Sequence, residues 1–322
     1  MALYDNFNRR IDYLRISVTD RCNLRCSYCM PKGGVEAKAH CDILSYEEIE
    51  RFAEAAVAAG ISKIRLTGGE PLVRRDAVAL VKMLSAIPGL RDMSLTTNGL
   101  LLPDFGDDLK AAGLKRVNIS IDSLDAGVYR RLTRVGDLDK ALAGLKKALE
   151  LGFEPVKVNA VLMRGVNDDP KAFVELIHEY PVHVRFIEYM PVGAWDPALY
   201  VSIDEFKANL ARYGAGDLVE GPAGAGPATY FAFAGAPGTI GFISPISNHF
   251  CGSCNRLRLT PDGKIRPCLF SDDEFDIRPK VGDNVSKEET IEFIREILAA
   301  KPERHAAHEK GHLKRLMHQI GG

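Results

Sequence analysis

Residues 12–29 read DYLRISVTDRCNLRCSYC. The first seven alternate, with Leu14, Ile16 and Val18 on one face and Arg15 and Ser17 on the other, which is the period-two pattern of a β-strand. The strand runs straight into Cys22, Cys26 and Cys29, spaced C-x3-C-x2-C. Thiolates at this spacing are soft ligands suited to an iron–sulfur cluster or zinc. Three thiolates on a cubane leave one iron without a protein ligand, whereas a structural zinc would want a fourth ligand such as His40. Chemistry placed directly after a strand is the habit of α/β barrels, whose active sites sit at the C-terminal ends of the strands.

Working outward, further strand patterns fall at 61–66, 93–97, 116–121, 155–162 and 183–189. Helical patterns lie between them. Ser45 and Glu48 make a capping box, Ile49, Phe52, Ala53, Ala56 and Val57 recur at helical spacing, and Gly60 closes the segment. Further helices are expected near 76–86, 104–112, 137–151 and 169–179. Each strand ends in a polar or glycine-rich segment: TDRCNLRCSYC, TGGEP, TTNG, SIDS, Asn159 and EYMP. Six strand-plus-helix units predict an incomplete (β/α)6 TIM-like barrel, although a flat doubly wound sheet fits the periodicity as well. The Gly/Pro-rich stretch 214–238 breaks the alternation and predicts a boundary, giving a barrel over 1–213 and a C-terminal region over 214–322. In that region YFAFA and TIGFISPI read as a small β element closing the open side, and 287–299 as a helix.

Strand parity predicts a charged lumen. Arg15, Arg65, Lys157 and Arg185 each stand alone on the face opposite a pair of apolar residues. Four cations inside one barrel need carboxylates or an anionic ligand, because an unpaired buried charge costs several kcal/mol. A polyanion is the favoured reading: at an effective dielectric near 20, a contact at ~4 Å is worth about 4 kcal/mol before desolvation. The chain as a whole carries no such bias. Its 42 Lys and Arg against 43 Asp and Glu argue against nucleic acid and against an anionic membrane surface. Charges in MALYDNFNRRIDYL and the lack of any long apolar run predict a cytoplasmic protein without a membrane segment.

A second group, Cys251, Cys254 and Cys268, is spaced C-x2-C-x13-C, and beside it His249 would complete a Cys3His zinc site. Seven cysteines is an odd number in a chain too large to need disulfide staples, and six fall in these two groups. Cys41 is read as a free thiol, Trp195 as loop packing, and the acidic run SDDEFDIR at 271–278 as solvated surface. On composition alone the tail from Lys301 is a frayed basic terminus.

RISVTDRCNLRCSYCMP, KIRLTGGEPLVRRD, LTTNG, VNISIDSL, VKVNAV, RFIEYMP, CGSCNRLRLTPDGKIRPCLF and the terminal Gly321-Gly322 resemble the radical S-adenosylmethionine (SAM) superfamily. Along nearly the whole chain they resemble its GTP 3′,8-cyclase family of molybdenum cofactor biosynthesis. The resemblance implies two [4Fe–4S] clusters, one on Cys22, Cys26 and Cys29 and one on Cys251, Cys254 and Cys268. It implies SAM contacts at Tyr28, Gly69, Ser120 and Met190, the glycine leaving room for the methionine moiety. It implies GTP contacts at Arg15, Arg65, Thr96, Lys157, Arg185, Arg256, Leu257 and Arg258, with the Gly321-Gly322 tail assisting. These include all four cations that parity places in the lumen.

The implied reaction is radical abstraction of hydrogen from C3′ of the GTP ribose, attack of C3′ on C8 of guanine, and reduction to 3′,8-cyclo-7,8-dihydro-GTP. Implied partners are a flavodoxin-type electron donor and the cyclic pyranopterin monophosphate synthase that takes the product; the chain is expected to be a monomer or homodimer. The competing readings are a radical SAM enzyme that modifies peptides with an auxiliary cluster, and a non-catalytic electron carrier or zinc-stabilised binding module. A carrier or module would not need GGEP or cationic strands.

Overall fold

A computed structural model describes residues 2–35, 38–193, 195–224, 226–307 and 313–321. Six parallel strands carry the N-terminal two thirds: β1 (Tyr13–Ser17), β2 (Lys63–Thr67), β3 (Asp92–Thr97), β4 (Arg116–Ser120), β5 (Val156–Leu162) and β6 (His183–Glu188). Each pairs with the next in chain order. Their bounds lie within two residues of the periodicity reading, because lumen and helix layer impose opposite demands on alternate side chains.

The helices α1 (Tyr46–Ala59), α2 (Ala77–Ser85), α3 (Leu102–Ala111), α4 (Ala126–Thr133), α5 (Leu138–Glu150) and α6 (Lys171–Glu179) lie between these strands, one to each connection except that α4 and α5 both follow β4. Both ends of α1 follow from local chemistry. Ser45 and Glu48 exchange side-chain and backbone bonds at its start, and Gly60 ends it with φ 133°, its N–H turned back to the carbonyls of Ala56 and Val57. Buried Ile49, Phe52, Ala53 and Ala56 press this helix into one core with Leu14, Ile16, Ile64 and Leu66. The helix α4 was not visible in the sequence, and neither was α7 (Ile203–Leu210), which follows β6.

Residues after 214 add strands to this same sheet. These are β7 (Gly216–Val219), β8 (Thr229–Phe233), β9 (Thr239–Ile243), β10 (Arg256–Leu259), β11 (Lys264–Arg266) and β12 (Phe275–Asp276). The order is β12-β11-β10-β1-β2-β3-β4-β5-β6-β9-β8-β7. Strand β10 pairs parallel with β1 and β9 parallel with β6, so the six-stranded unit is widened at both edges, and antiparallel strands finish each side. The helix α8 (Lys287–Ala299), also capped by a Ser–Glu box, packs beside α1. A final short helix, α9 (Met317–Ile320), leads into Gly321. Among the described residues no helix is long and apolar enough to cross a membrane.

The turn after β3 is fixed from behind. Gly144 of α5 lies against the backbone of Gly99, which has φ 86°, and a Cβ on Gly144 would stand 2.8 Å from the Gly99 carbonyl carbon. Backbone cannot swing aside as a flexible side chain does. Gly144→Ala is therefore expected to destabilise by about 1–3 kcal/mol, lowering Tm by at least about 2 °C. A thermal melt matching the parent protein would show that α5 shifts freely.

Candidate active site

The strand ends converge on one cavity of about 320 Å³. Cys22, Cys26 and Cys29 line it, and so do Cys251, Cys254 and Cys268, brought there from more than two hundred residues away.

The first triad sits on a loop clamped from two sides. Arg25 and Ser27 donate their N–H groups to the carbonyls of Thr133 and Leu132 at the end of α4, at 3.0 and 2.9 Å. From the other side Gly69 and Glu70 donate to the carbonyls of Thr19 and Arg21, at 2.7 and 2.8 Å. Here the structure adds a second reason for Gly69. A Cβ there would lie 2.7 Å from the carbonyl carbon of Arg21 and 2.9 Å from the Asp20 carbonyl oxygen, so the chain itself requires glycine before any ligand is considered. Burial pushes the Cys22 thiol up to about 11, and burial with Cys22 alongside pushes Cys29 to about 12. Donors nevertheless point at sulfur: Leu24 N–H lies 3.3 Å from Cys22 Sγ and Asn98 Nδ2 lies 3.9 Å from it.

The second triad is organised by two cations absent from the sequence reading. Buried Arg9 donates to the carbonyl of Cys251 at 2.9 Å and to those of Pro302 and Glu303. Buried Lys301 reaches the carbonyls of Arg256 and Pro267 at 2.9 and 2.6 Å, and its Nζ lies 3.7 Å from Cys254 Sγ. Burial opposes ionisation of Cys254, but Lys301 and Arg256 outweigh it and hold the thiol below its ordinary value. His249 is exposed, with its ring against His305, and does not complete a Cys3His set. Among the described residues no three His, Cys, Asp or Glu side chains converge on a single metal ion. Three soft thiols per site, with hydrogen-bond donors turned to sulfur, form a donor set that suits iron–sulfur clusters.

Between the triads lies the cation wall. Arg258, Arg15 and Arg65 are direct cross-strand partners on β10, β1 and β2, forming one row, and all three line the cavity with Arg185 and Arg256. Burial lowers Arg15 well below its ordinary value, and Arg258, Arg65 and Arg256 add to this. Burial and Arg256 bring Arg258 to about 10. Arg65 bonds Ser94 Oγ at 3.2 Å, and Arg185 bonds Asn159 and Asn118 at 2.8 and 2.7 Å, all of them neutral partners. Thr96 Oγ1 and the Tyr13 hydroxyl also face this cavity, buried and without a partner among the described residues.

Two proposed contacts stand apart. The Leu257 side chain is buried in the apolar core, which leaves only its backbone for a ligand. Lys157 lies behind the wall rather than in it, its Nζ donating to the carbonyl of Ala223 at 2.9 Å. Burial, then Arg185, Arg116 and Arg65, drives this ammonium to about 6.

Tyr28, Gly69, Ser120 and Met190 line the same cavity. Sequence reading missed two buried carboxylates in the same region. Asp122 accepts from the Tyr28 hydroxyl at 2.7 Å and Val161 N–H at 2.8 Å. Glu70, raised to about 7 by burial, accepts from Thr97 Oγ1, Asn98 N–H and Leu72 N–H. The signal for Glu70 was its place in TGGEP, and for Asp122 its place in SIDS.

The described part of the tail is folded in, not frayed. Arg315 pairs with Asp262 and Glu274, His318 Nδ1 bonds the Cys29 carbonyl at 2.9 Å, and the Gly321 carbonyl accepts from Arg258 at 2.8 Å. With φ 75° and a would-be Cβ only 3.0 Å from Ser17 Cβ, the Gly321 position admits no side chain. Gly322 lies outside the described residues. The acidic segment 271–278 is also no idle surface: Glu274 pairs with buried Arg266 and with Arg315, beside Cys268. Trp195 packs on Tyr189 and Tyr200, and Cys41 is exposed.

A family model described as Radical SAM superfamily matches residues 16–177, and one described as Molybdenum Cofactor Synthesis C matches residues 182–307. The GTP 3′,8-cyclase of Heliobacterium modesticaldum is 49% identical, over 99% of this chain and 100% of that protein. The enzyme of the same name from Geobacter sulfurreducens is 50% identical, over 100% of both. Among solved structures, Streptococcus suis SuiB bound to its precursor peptide SuiA superimposes with TM-score 0.63 at 15% identity, covering 98% of this chain and 77% of that one. That likeness is one of fold alone.

Two outcomes are expected. A polyanion drawn to Lys157 would raise its pKa from about 6, so nucleotide binding at neutral pH should take up protons, read as a buffer-dependent heat in calorimetry; a heat independent of buffer would remove Lys157 from the site. Gly69→Ala should lower the iron taken up on anaerobic reconstitution, since it displaces the first triad. Undiminished iron would show that the clamped loop yields.

Proposed function

The chain belongs to the radical SAM superfamily and, within it, to the GTP 3′,8-cyclase family of molybdenum cofactor biosynthesis, and from this premise we propose how its own residues hold the substrate. The reading rests on one observation: both cysteine triads and five arginines face a single cavity.

In this reading Cys22, Cys26 and Cys29 hold the [4Fe–4S] cluster and Cys251, Cys254 and Cys268 a second one, with GTP between them. A reduced cluster at the first triad, with SAM bound, supplies the 5′-deoxyadenosyl radical that the superfamily uses. Everything else is positioning. Tyr28, Gly69, Ser120 and Met190 shape the SAM side, and the hydrogen bond from Tyr28 to Asp122 fixes the tyrosine ring beside the first triad. Arg15, Arg65, Arg185, Arg256 and Arg258 take the triphosphate, with Thr96 offering its unpartnered hydroxyl. An anion beside three in-register arginines removes their mutual repulsion, so substrate charge complements the folded protein instead of adding to its strain.

Met317 and His318 of the tail line the cavity and Gly321 brings a backbone carbonyl to Arg258, so the tail helps to keep water from a reactive radical. A site that works by orientation and exclusion needs no acid–base pair near the substrate. A flavodoxin-type donor would supply the electron, and a cyclic pyranopterin monophosphate synthase would consume the product.

The test is anaerobic turnover. Reconstituted protein with SAM, dithionite and GTP should release 5′-deoxyadenosine only when GTP is present, and chromatography with mass spectrometry should find a new product isomeric with GTP, its mass unchanged because one hydrogen is lost from C3′ and one is gained on reduction. Iron content should be about eight per chain. About four irons with one tightly held zinc would remove the second cluster, and GTP-independent release of 5′-deoxyadenosine would remove the substrate assignment.

A further inference from the structure

Strands β10 and β11 form an antiparallel hairpin, with Cys254 standing before β10 and Cys268 after β11, so these two cysteines flank its open end. Lys301, two residues beyond the end of α8, crosses that opening. Its Nζ donates to the carbonyl of Arg256 on one arm at 2.9 Å and to that of Pro267 on the other at 2.6 Å, and its third contact is Cys254 Sγ at 3.7 Å. An ammonium has three protons to donate, and three acceptors meet it here.

Those acceptors satisfy its hydrogen bonds but not its charge. Lys301 is 3% exposed, and among the described residues it pairs with no carboxylate. Its neighbour Arg9, which supports the same triad, has Asp5 at 2.6 Å. For Lys301 the balancing groups are sulfur: burial works against its charge, Cys254 and Cys268 favour it, and Arg9 and Arg256 oppose it. A neutral thiol offers a buried ammonium little, whereas a metal-bound thiolate offers a negative charge.

The first triad is built the other way. Cys22 sulfur is met by Leu24 N–H and Asn98 Nδ2, both neutral donors. Beyond burial, Glu70 outweighs Arg25 as the charge acting on Cys22, and Asp122 acts on Cys26 and Cys29 as a like charge. One triad thus sits among carboxylates and the other against a cation.

We propose that Lys301 is the counter-charge of the cluster held by Cys251, Cys254 and Cys268, and that it raises that cluster's reduction potential. The inference rests on the two-cluster reading above and gives the second triad an electronic character that the first lacks. Reduction adds one electron, and so one negative charge, to a cluster, and a cation hydrogen-bonded to a ligating sulfur stabilises the reduced state over the oxidised one. Lys301 is a positioning residue in this scheme, acting through Cys254 and not on the substrate.

The test uses the full chain with Cys22, Cys26 and Cys29 all replaced by Ser, so that the second triad alone takes up iron, about four per chain. In this background Lys301→Gln should lower the equilibrium constant for one-electron reduction by about tenfold or more, a shift of about 59 mV. The reading is electron paramagnetic resonance during a mediated titration with dithionite. Lys301→Arg, which keeps the charge, should stay closer to the parent. Full iron in Lys301→Gln with an unchanged potential would overturn the inference and leave the cyclase reading in place. Should Lys301→Gln take up no iron, Lys301→Arg decides: iron uptake at the parent's potential upholds the counter-charge, and any other result overturns it. Zinc in place of iron in the background chain would overturn the second cluster itself, and the inference with it.

Discussion

Three arginines in register on adjacent parallel strands, Arg258, Arg15 and Arg65, set the terms for the rest of this structure. Like charges directly opposite on neighbouring strands repel, and burial removes the water that would screen them. A sheet accepts such a row only if the surroundings hold it rigidly and something anionic is to be bound. Ser94 meets Arg65, the Gly321 carbonyl meets Arg258, and two asparagines meet Arg185 nearby, neutral partners that satisfy donors without cancelling charge. Several positive groups thus crowd one cavity, where Thr96 Oγ1 and the Tyr13 hydroxyl find no partner among the described residues, a setting that a polyanion complements.

The two halves of the chain meet at that row. Strand β10 lies beside β1, so Arg258 reaches the row from the C-terminal region while Arg15 and Arg65 come from the N-terminal strands. The loop before β10 carries Cys251 and Cys254, just as the loop after β1 carries the first triad. One strand pairing thus fixes the charge row and the separation of the two triads together. The tail is fastened at both ends of this arrangement, by Arg315 to Asp262 and Glu274 and by His318 to the Cys29 carbonyl, before Gly321 reaches Arg258. A displacement at either triad is therefore felt by the tail.

Sequence reading recovered what is encoded locally. Six strands, most of the helices between them and the inward direction of four cations followed from period-two and helical patterning, because each strand has a charged lumen on one side and an apolar layer on the other. The family resemblance supplied the roles of the cysteine spacings, which bare spacing left open between iron and zinc. Contacts made across hundreds of residues were not legible. Nothing in YFAFA, TIGFI or RLRL says that β9 and β10 join opposite edges of one sheet, and no local pattern marks Arg9 or Lys301 as buried supports of the second triad. The acidic run at 271–278 read as surface because its partners, Arg266 and Arg315, are cations met only after folding. Helix α4, AGVYRRLT, escaped notice because it is short and half polar, yet its last residues hold the first cysteine loop. Lys157 points to the charged side as parity requires, but a loop from beyond β7 takes its ammonium.

The central claim is that a nucleotide polyphosphate occupies the in-register arginine row between two cysteine-held clusters. A crystal structure of the anaerobically reconstituted enzyme with GTP bound tests this most directly. The account requires phosphate oxygens within hydrogen-bond distance of Arg15, Arg65 and Arg258, with the base toward Cys251, Cys254 and Cys268. Electron density placing the phosphates outside the sheet, or leaving the three arginines bonded as they are without ligand, would contradict it.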